Sequence, residues 1–277
     1  MNKAMDIPFP LGVSFNSICH DQSVESARLL AGSSVKSVEL WAPGITNDPM
    51  IIDSLCRAFS DAGVDIRTVH ADFGAGLDLS SHDAATREKG IREFERALDL
   101  AVKTDARIVV VHPSTEPIED EDRAERIRRA KRSIDVIADK ASSEGKAVAL
   151  ELLPRTCLGR SAVELLELVD RVEPETCGVC LDTNHLMGDY ALLPAVVRTL
   201  GRRLFTLHCS DYDGVDEKHW PPLRGVIDWG SFVDALLESD FSGPFHYEAK
   251  LEGDTPAERL AFLEGNYVEL CLRARSD

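Results

Sequence analysis

The sequence predicts a single (β/α)8 TIM barrel that spans residues 1–277. Short apolar runs alternate with helical stretches eight times, which is the pattern of this fold. The length also suits one large α/β domain, and no linker, repeat or low-complexity segment interrupts the series. An open doubly wound sheet is the alternative fold. It often carries a glycine-rich phosphate turn after its first strand, whereas this chain continues with "SFNSICHD".

The eight apolar runs are predicted as the barrel strands, in chain order. They cover residues 11–15, 35–41, 65–70, 106–112, 146–152, 177–182, 203–208 and 243–248. Between them, 83–104 and 119–145 carry apolar side chains three and four positions apart, which is typical of amphipathic helices. The acidic run at 116–125 is interpreted as a solvated helix start, where carboxylates interact favourably with the helix dipole. The longest irregular stretch, 209–230, follows the seventh strand, and loops of this length are usually functional.

Composition narrows the class of protein. Hydrophobic residues make up 44% and charged residues 29% of the chain, which suits a globular protein with a substantial core. No apolar run approaches the roughly 18 residues of a membrane span. The N-terminal segment also lacks the apolar stretch of a secretory signal, so we expect a cytoplasmic protein without membrane contact. The net charge of −17 argues against nucleic acid as a partner, because phosphate binding depends on clustered Lys and Arg.

Seven cysteines are scattered along the chain, mostly within apolar segments. This suits reduced thiols that pack as small hydrophobic side chains. Cys177 and Cys180 have the spacing of a redox pair, but they lie in an apolar run. We therefore interpret them as residues of a core strand.

Four of the apolar runs end on residues that bind divalent metals. These residues are Glu151, Asp182, His208 and Glu248. The carboxyl ends of barrel strands meet at one mouth, and a buried carboxylate needs a cation or a partner there. Carboxylate and imidazole ligands without thiolates suit Mn²⁺, Zn²⁺, Co²⁺ or Mg²⁺. The sequence predicts one such ion, with an ion-free polar network as the alternative.

Further polar and aromatic residues are predicted at the same mouth. His70, His112, His185 and His219 are candidates for binding substrate or an additional metal. Candidate substrate contacts are Glu39, Trp41, Arg155, Trp220 and Arg224. A tryptophan suits stacking on a sugar ring, and an arginine suits a phosphate or carboxylate, although packing and solvation explain such residues as well.

Motifs at the strand ends carry a family resemblance over most of the chain. They are "VELW", "VHADFG", "VVHPS", "LELLPR", "CLDTNHLMGD", "LFTLHCSDYDG", "HWPPLRGVIDW" and "HYE". Together they resemble the xylose-isomerase-like (β/α)8 barrels. That group includes sugar isomerases, ketose 3-epimerases, inosose-type dehydratases and zinc-dependent abasic-site endonucleases.

The resemblance implies roles for the strand-end residues. It places the shared metal on Glu151, Asp182, His208 and Glu248, and in the isomerases and epimerases the two glutamates also move a proton. In the endonuclease branch, the positions of the four additional histidines hold further zinc ions, so the resemblance leaves up to three ions open. That branch has an aspartate where this chain has Glu217.

Three departures set this chain apart from the ketose 3-epimerases. Cys157 stands where those enzymes carry a second glutamate, and Gly214 stands where they carry an arginine. The loop reads "PPLRG" in place of a glycine-rich "PGxG". These departures leave the identity of the sugar open.

The sequence therefore predicts a metal-dependent isomerase or epimerase that acts on a sugar or sugar phosphate. Glu151 and Glu248 are the predicted catalytic residues. The alternatives are an abasic-site endonuclease or other phosphodiesterase, a dehydratase of a polyol or cyclic acid, and a non-catalytic metabolite binder. The expected partner is the small-molecule sugar, and a homo-oligomer is left open.

Overall fold

The computed structural model describes residues 9–273. Within this range eight strands alternate with helices, each within a few residues of its predicted position. The strands are β1 (Leu11–Ser14), β2 (Val35–Trp41), β3 (Asp65–His70), β4 (Ile108–Val111), β5 (Ala147–Glu151), β6 (Cys177–Asp182), β7 (Leu204–His208) and β8 (Phe245–Tyr247). Residues 1–8, which form part of the N-terminal segment predicted to lack a secretory signal, lie outside the described range.

Helices follow every strand. They are α1 (Phe15–Ile18), α2 (Val24–Arg28), α3 (Pro49–Ala62), α4 (Ala84–Thr104), α5 (Asp120–Ser143), α6 (Ala162–Leu168), α7 (Leu193–Leu200), α8 (Trp229–Glu238) and α9 (Pro256–Arg273). The predicted acidic helix start is confirmed, since the first turn of α5 contains three carboxylates. No helix within residues 9–273 is both long and apolar enough to cross a membrane.

The strands form one parallel sheet that closes on itself. Its order is β7-β6-β5-β4-β3-β2-β1-β8, with every pair parallel. A bridge between Cys209 and Tyr247 joins the two ends of this series. There the amide of Cys209 donates to the carbonyl of His246 over 2.7 Å, and the amide of Glu248 donates to the carbonyl of Cys209 over 3.2 Å. The predicted (β/α)8 barrel is confirmed.

The hydrophobic core has two parts. The larger part lies between the outward faces of the strands and the helices, and it includes Phe59, Phe94 and Phe232. A small second cluster lies inside the barrel and consists of Ile108, Val110, Ala149 and Cys180, with Ala147 and Phe205 packed against it. Cys177 and Cys180 are buried strand residues with free thiols, which confirms the core-strand interpretation.

The long loop after β7 is anchored by one buried aspartate. Oδ1 of Asp211 accepts hydrogen bonds from the amides of Tyr212 and Ile227, and Oδ2 accepts from the indole of Trp229. The Asp211 backbone also pairs with that of Trp220. These bonds tie both ends of the loop to the barrel rim and fix the intervening segment.

The loop that follows Glu151 is held by a buried arginine of α5. Arg123 donates to both carboxylate oxygens of Glu164 over 2.6 and 2.7 Å. It also donates to the carbonyls of Thr156 and Cys157 over 2.9 and 2.7 Å. Its side chain is only 11% exposed, so the guanidinium depends on these acceptors. Arg123 therefore fixes the path of the chain beside the barrel mouth.

Replacing Arg123 by Met is expected to lower the free energy of unfolding by about 3 kcal/mol, because Glu164 and two carbonyls lose their buried donor. Urea denaturation checks this value. The matched control is Arg96→Met, whose guanidinium is 71% exposed beside Glu93. The control is expected to change stability by less than about 0.5 kcal/mol. Equal losses in the two variants would show that Arg123 does not hold the loop.

Candidate metal centre and active site

A cavity of about 660 Å³ opens at the carboxyl ends of the strands. This volume lies in the range of small-molecule sites, roughly 300–1,000 Å³. Most of the predicted site residues line it, namely Glu39, Trp41, His70, His112, Glu151, Arg155, His185, His219 and Glu248. Asp182 and His208 are fully buried and belong to the same cluster as Glu151 and Glu248.

The four predicted metal ligands converge. Glu151, Asp182, His208 and Glu248 each offer one atom, and these atoms lie within 4.8 Å of one another. Burial raises the pKa of Asp182 to about 6, and the charges of Glu151 and Glu248 add to this shift. Three carboxylates at this separation repel one another unless a cation lies among them. The group therefore fits a divalent ion.

His208 is oriented as a metal ligand. Its Nε2 lies 3.2 Å from Oε2 of Glu39 with hydrogen-bond geometry, so Nε2–H donates to this carboxylate. A neutral His208 then carries its lone pair on Nδ1, which is 2.9 Å from Glu248 Oε2 and 3.4 Å from Glu151 Oε1. Without a cation, the nearby carboxylates raise the pKa of His208 against the effect of burial. Oδ2 of Asp182 is buried without a hydrogen-bond partner in the described chain. Asp182 and His208 belong to the same four-residue group, so this oxygen and Nδ1 suit a shared cation.

Glu39 supports His208. Its Oε1 accepts from the hydroxyl of Ser14 over 3.0 Å, and its Oε2 accepts from that of Thr68 over 2.8 Å. Burial would raise the pKa of Glu39, but His208 and His70 hold it below its ordinary value. Because both oxygens are occupied by protein donors, Glu39 is placed to orient His208. Glu39 also lines the cavity, and its role as a substrate contact stays a prediction.

A second potential metal group shares Glu151. His70 donates from Nδ1 to the carbonyl of Ala71 over 2.7 Å, so its Nε2 faces Glu151 Oε2 at 2.9 Å. His112 Nε2 lies 3.0 Å from the same oxygen. Burial opposes protonation of His70, but the carboxylate of Glu151 raises its pKa to about 9. Glu151 Oε2 therefore stabilises positive charge on the neighbouring His70 imidazole.

A third group consists of His185, Glu217 and His219, and its His185 Nδ1 lies 3.5 Å from both Glu151 Oε1 and Asp182 Oδ2. His185 donates from Nδ1 to the carbonyl of Leu152 over 2.8 Å. Its Nε2 and that of His219 lie 3.9 and 3.8 Å from Glu217 Oε2. The other oxygen of Glu217 lies 2.5 Å from Nη1 of Arg155. Hydrogen bonding to His219 and the charge of Arg155 lower the pKa of Glu217 to about 2. Arg155 therefore neutralises the negative charge of Glu217 in this group.

The remaining predicted contacts divide into two sets. Trp41 lines the cavity, and its indole N–H is buried with no acceptor among residues 9–273. Arg155 also lines the cavity, but its guanidinium is paired with Glu116 as well as Glu217. Trp220 and Arg224 do not line the cavity. The Trp220 backbone is paired with Asp211 at the loop base, and the Arg224 guanidinium lies 5.9 Å from the ring centre of Phe262.

Two aromatic side chains belong to the site although sequence reasoning did not select them. Phe73 is 47% exposed and stacks on His112, with ring centroids 4.3 Å apart. Phe73 lies three residues after β3, within "VHADFG", and this position near a strand end could have predicted its place at the mouth. His246 lies beside His208, and neither of its ring nitrogens has a partner in the described chain. Burial lowers the pKa of His246 to about 4 and keeps it neutral.

Comparison with known proteins identifies the family. The sequence model for xylose isomerase-like TIM barrels matches residues 28–265. The chain belongs to this family. Among curated relatives, it is similar to a probable endonuclease 4 of Nitratidesulfovibrio vulgaris, with 36% identity over 124 residues and 42% of each chain. It is also similar to an L-ribulose 3-epimerase of a Methylomonas species, with 28% identity over 65% of this chain and 63% of the relative.

These matches span less than two thirds of the lengths of both relatives. A solved structure is similar over a longer range. The D-psicose 3-epimerase from Clostridium cellulolyticum H10 has a TM-score of 0.75 at 21% identity, over 98% of both chains. At this identity the likeness shows the shared fold of the xylose isomerase-like family.

Glu39→Gln is expected to weaken divalent-metal binding by about 10–100-fold, because an amide orients the His208 imidazole less strongly than a carboxylate does. Competition with a fluorescent chelator, using Zn²⁺ or Mn²⁺, measures the affinity. The control is Glu144→Gln, which changes an exposed carboxylate at the end of α5. Unchanged affinity in Glu39→Gln would contradict the assigned role.

Proposed function

We propose that this protein is a metal-dependent isomerase or epimerase that acts on a sugar or sugar phosphate. One observation carries the proposal. Four metal-ligand atoms within 4.8 Å of one another belong to residues at the base of a cavity of about 660 Å³, and two of those residues are the glutamates Glu151 and Glu248. Family membership and the likeness to an L-ribulose 3-epimerase support the same class of reaction.

The chemistry needs a polarised carbonyl and two proton carriers. A bound divalent ion supplies the first by withdrawing electrons from the adjacent oxygens of an α-hydroxy carbonyl. Glu248 is 31% exposed and faces the cavity, so it is the more accessible base. Glu151 is 2% exposed and receives His70 and His112 on one oxygen. Proton removal by one glutamate and return by the other gives epimerisation, whereas transfer between neighbouring carbons gives isomerisation.

The charges at the mouth favour an uncharged sugar over a sugar phosphate. Two arginines line the cavity, and both are engaged by protein groups. Arg155 pairs with Glu116 and Glu217, and Arg259 donates to three carbonyls. Lys250 also lines the cavity. Of these three side chains, Lys250 is therefore the one available to bind a phosphate, whereas sugar hydroxyls suit the histidines and the indole of Trp41.

A deuterium-exchange experiment tests this proposal. The Mn²⁺-loaded protein is incubated in D2O with D-psicose or D-fructose, and NMR follows deuterium at the carbon beside the carbonyl. Wild type is expected to exchange this proton, and Glu248→Gln is expected to slow the exchange by about 10²–10⁴-fold through loss of the base. The control is Glu252→Gln, an exposed carboxylate of the following loop. Wild-type rates in Glu248→Gln would contradict the assignment.

The second and third histidine groups favour one further candidate, hydrolysis of a phosphodiester with up to three ions. Their donors lie within 4.8 Å in each group, and the match to a probable endonuclease 4 agrees with this arrangement. The net charge of −17 and the Arg155–Glu217 pair oppose it. Nicking of abasic-site DNA by the Zn²⁺-loaded protein would establish this candidate.

The same experiments separate the two remaining alternatives. Deuterium exchange followed by loss of water from the sugar would identify the protein as a dehydratase that uses the same site. Stabilisation of the protein by a sugar without any exchange would assign a non-catalytic binder.

A further inference from the structure

A second cavity, of about 360 Å³, opens at the opposite end of the barrel, where the strands begin. We call it the floor cavity. It is lined by residues at the starts of β3, β4, β5 and β7 and by the segment 239–243 before β8. Among them are three arginines, Arg67, Arg107 and Arg202. Three cations at one cavity are notable in a chain whose net charge is −17.

Two β-bulges shape the floor cavity. Val38 pairs with Ile66 and Glu39 pairs with Thr68, so Arg67 is an extra residue of β3 without a partner on β2. Phe205 is the corresponding extra residue of β7. A bulge redirects a side chain that strict alternation would place on the other face. Arg67 and Phe205 therefore line the same cavity as the inward-facing Ala147.

Within residues 9–273 the guanidinium of Arg67 has no hydrogen-bond or ion-pair partner, although the charge of Asp65 acts on it. Its Nε is buried without an acceptor, and it forms no side-chain hydrogen bond or ion pair within residues 9–273. Burial and the nearby charge of Arg107 lower the pKa of Arg67. Arg107 itself is largely exposed and lies 3.8 Å from Asp65. A half-buried cation beside a second cation is costly unless an anion approaches.

The acidic residues of the lining do not satisfy this charge. Glu175 and Asp240 are exposed, and in the described chain neither forms an ion pair with Arg67 or Arg202. The cavity wall near Arg67 is apolar, with Ile108, Ala147 and Phe205 as its side chains. The floor cavity therefore combines an unpaired guanidinium with a small apolar wall.

We propose that the floor cavity binds a small oxyanion, a phosphate or carboxylate group, with Arg67 as its principal ligand. A guanidinium presents two parallel N–H donors that match such an anion. Arg107 and Arg202 then supply further positive charge at the entrance. Along β5, the inward residues Ala147, Ala149 and Glu151 run from this cavity to the metal centre. The two sites are separated by about 13 Å at the rise of a parallel strand.

Isothermal titration calorimetry of the metal-loaded full chain tests the proposal, with inorganic phosphate and acetate as probes at constant ionic strength. Wild type is expected to bind at least one of these anions at millimolar concentration. Arg67→Met is expected to weaken binding at least about tenfold, and Arg67→Lys to weaken it less. Arg96→Met and Glu151→Gln are expected to bind as wild type does, because both changes lie away from the floor cavity.

The melting temperature provides an independent readout. Arg67→Met removes an unpaired charge and is expected to melt no lower than wild type. Three results would overturn the proposal: no binding of either anion by wild type, unchanged binding by Arg67→Met, or loss of binding in Glu151→Gln. A lower melting temperature for Arg67→Met, with no change in the melting temperature of either protein on adding phosphate or acetate, would also overturn it and would show that Arg67 is a structural residue. Because no turnover is measured, this outcome is distinct from failure of the proposed function.

Discussion

The constraint on which the site depends is the mutual repulsion of three carboxylates that converge beside His208. Glu151, Asp182 and Glu248 come from three strands, and the barrel brings their oxygens within 4.8 Å of the imidazole and of one another. Such a cluster is unstable without a cation. Glu39 directs the lone pair of His208 into the cluster by accepting a hydrogen bond from its far side. His70 supplies further positive charge beside Glu151, because this carboxylate raises the pKa of His70 to about 9 against the effect of burial.

The fold and the convergence of the four candidate metal ligands could be predicted from the sequence, because both depend on local patterns. A buried run that ends on a polar residue marks a strand end, and a barrel collects strand ends at one mouth. The role of Glu39 was not accessible, because its partners Ser14 and Thr68 lie on other strands. The positions of Trp220 and Arg224 depend on the path of a long loop. The β-bulge at Arg67 changes which way a side chain faces, and simple alternation does not reveal it.

The two ends of the barrel differ in charge and in the kind of ligand that they could bind. The mouth gathers carboxylates and imidazoles, whereas the floor presents an unpaired arginine. Small and apolar interior residues, among them Val110, Ala149 and Cys180, separate the ends. Since this fold supports many reactions, the chemistry depends on how many cations the mouth holds. The pairing of Arg155 with Glu217 favours fewer metal ions than the histidine count alone suggests.

The most direct test of the central claim is the metal content of the purified, dialysed protein, measured as divalent ions per chain by inductively coupled plasma mass spectrometry. The account predicts at least one tightly bound ion, which is lost in Asp182→Asn because that carboxylate has an unpartnered buried oxygen facing the cluster. The fold is expected to persist in the variant, as judged by circular dichroism. A folded wild-type chain that neither retains nor takes up a divalent ion would contradict the account.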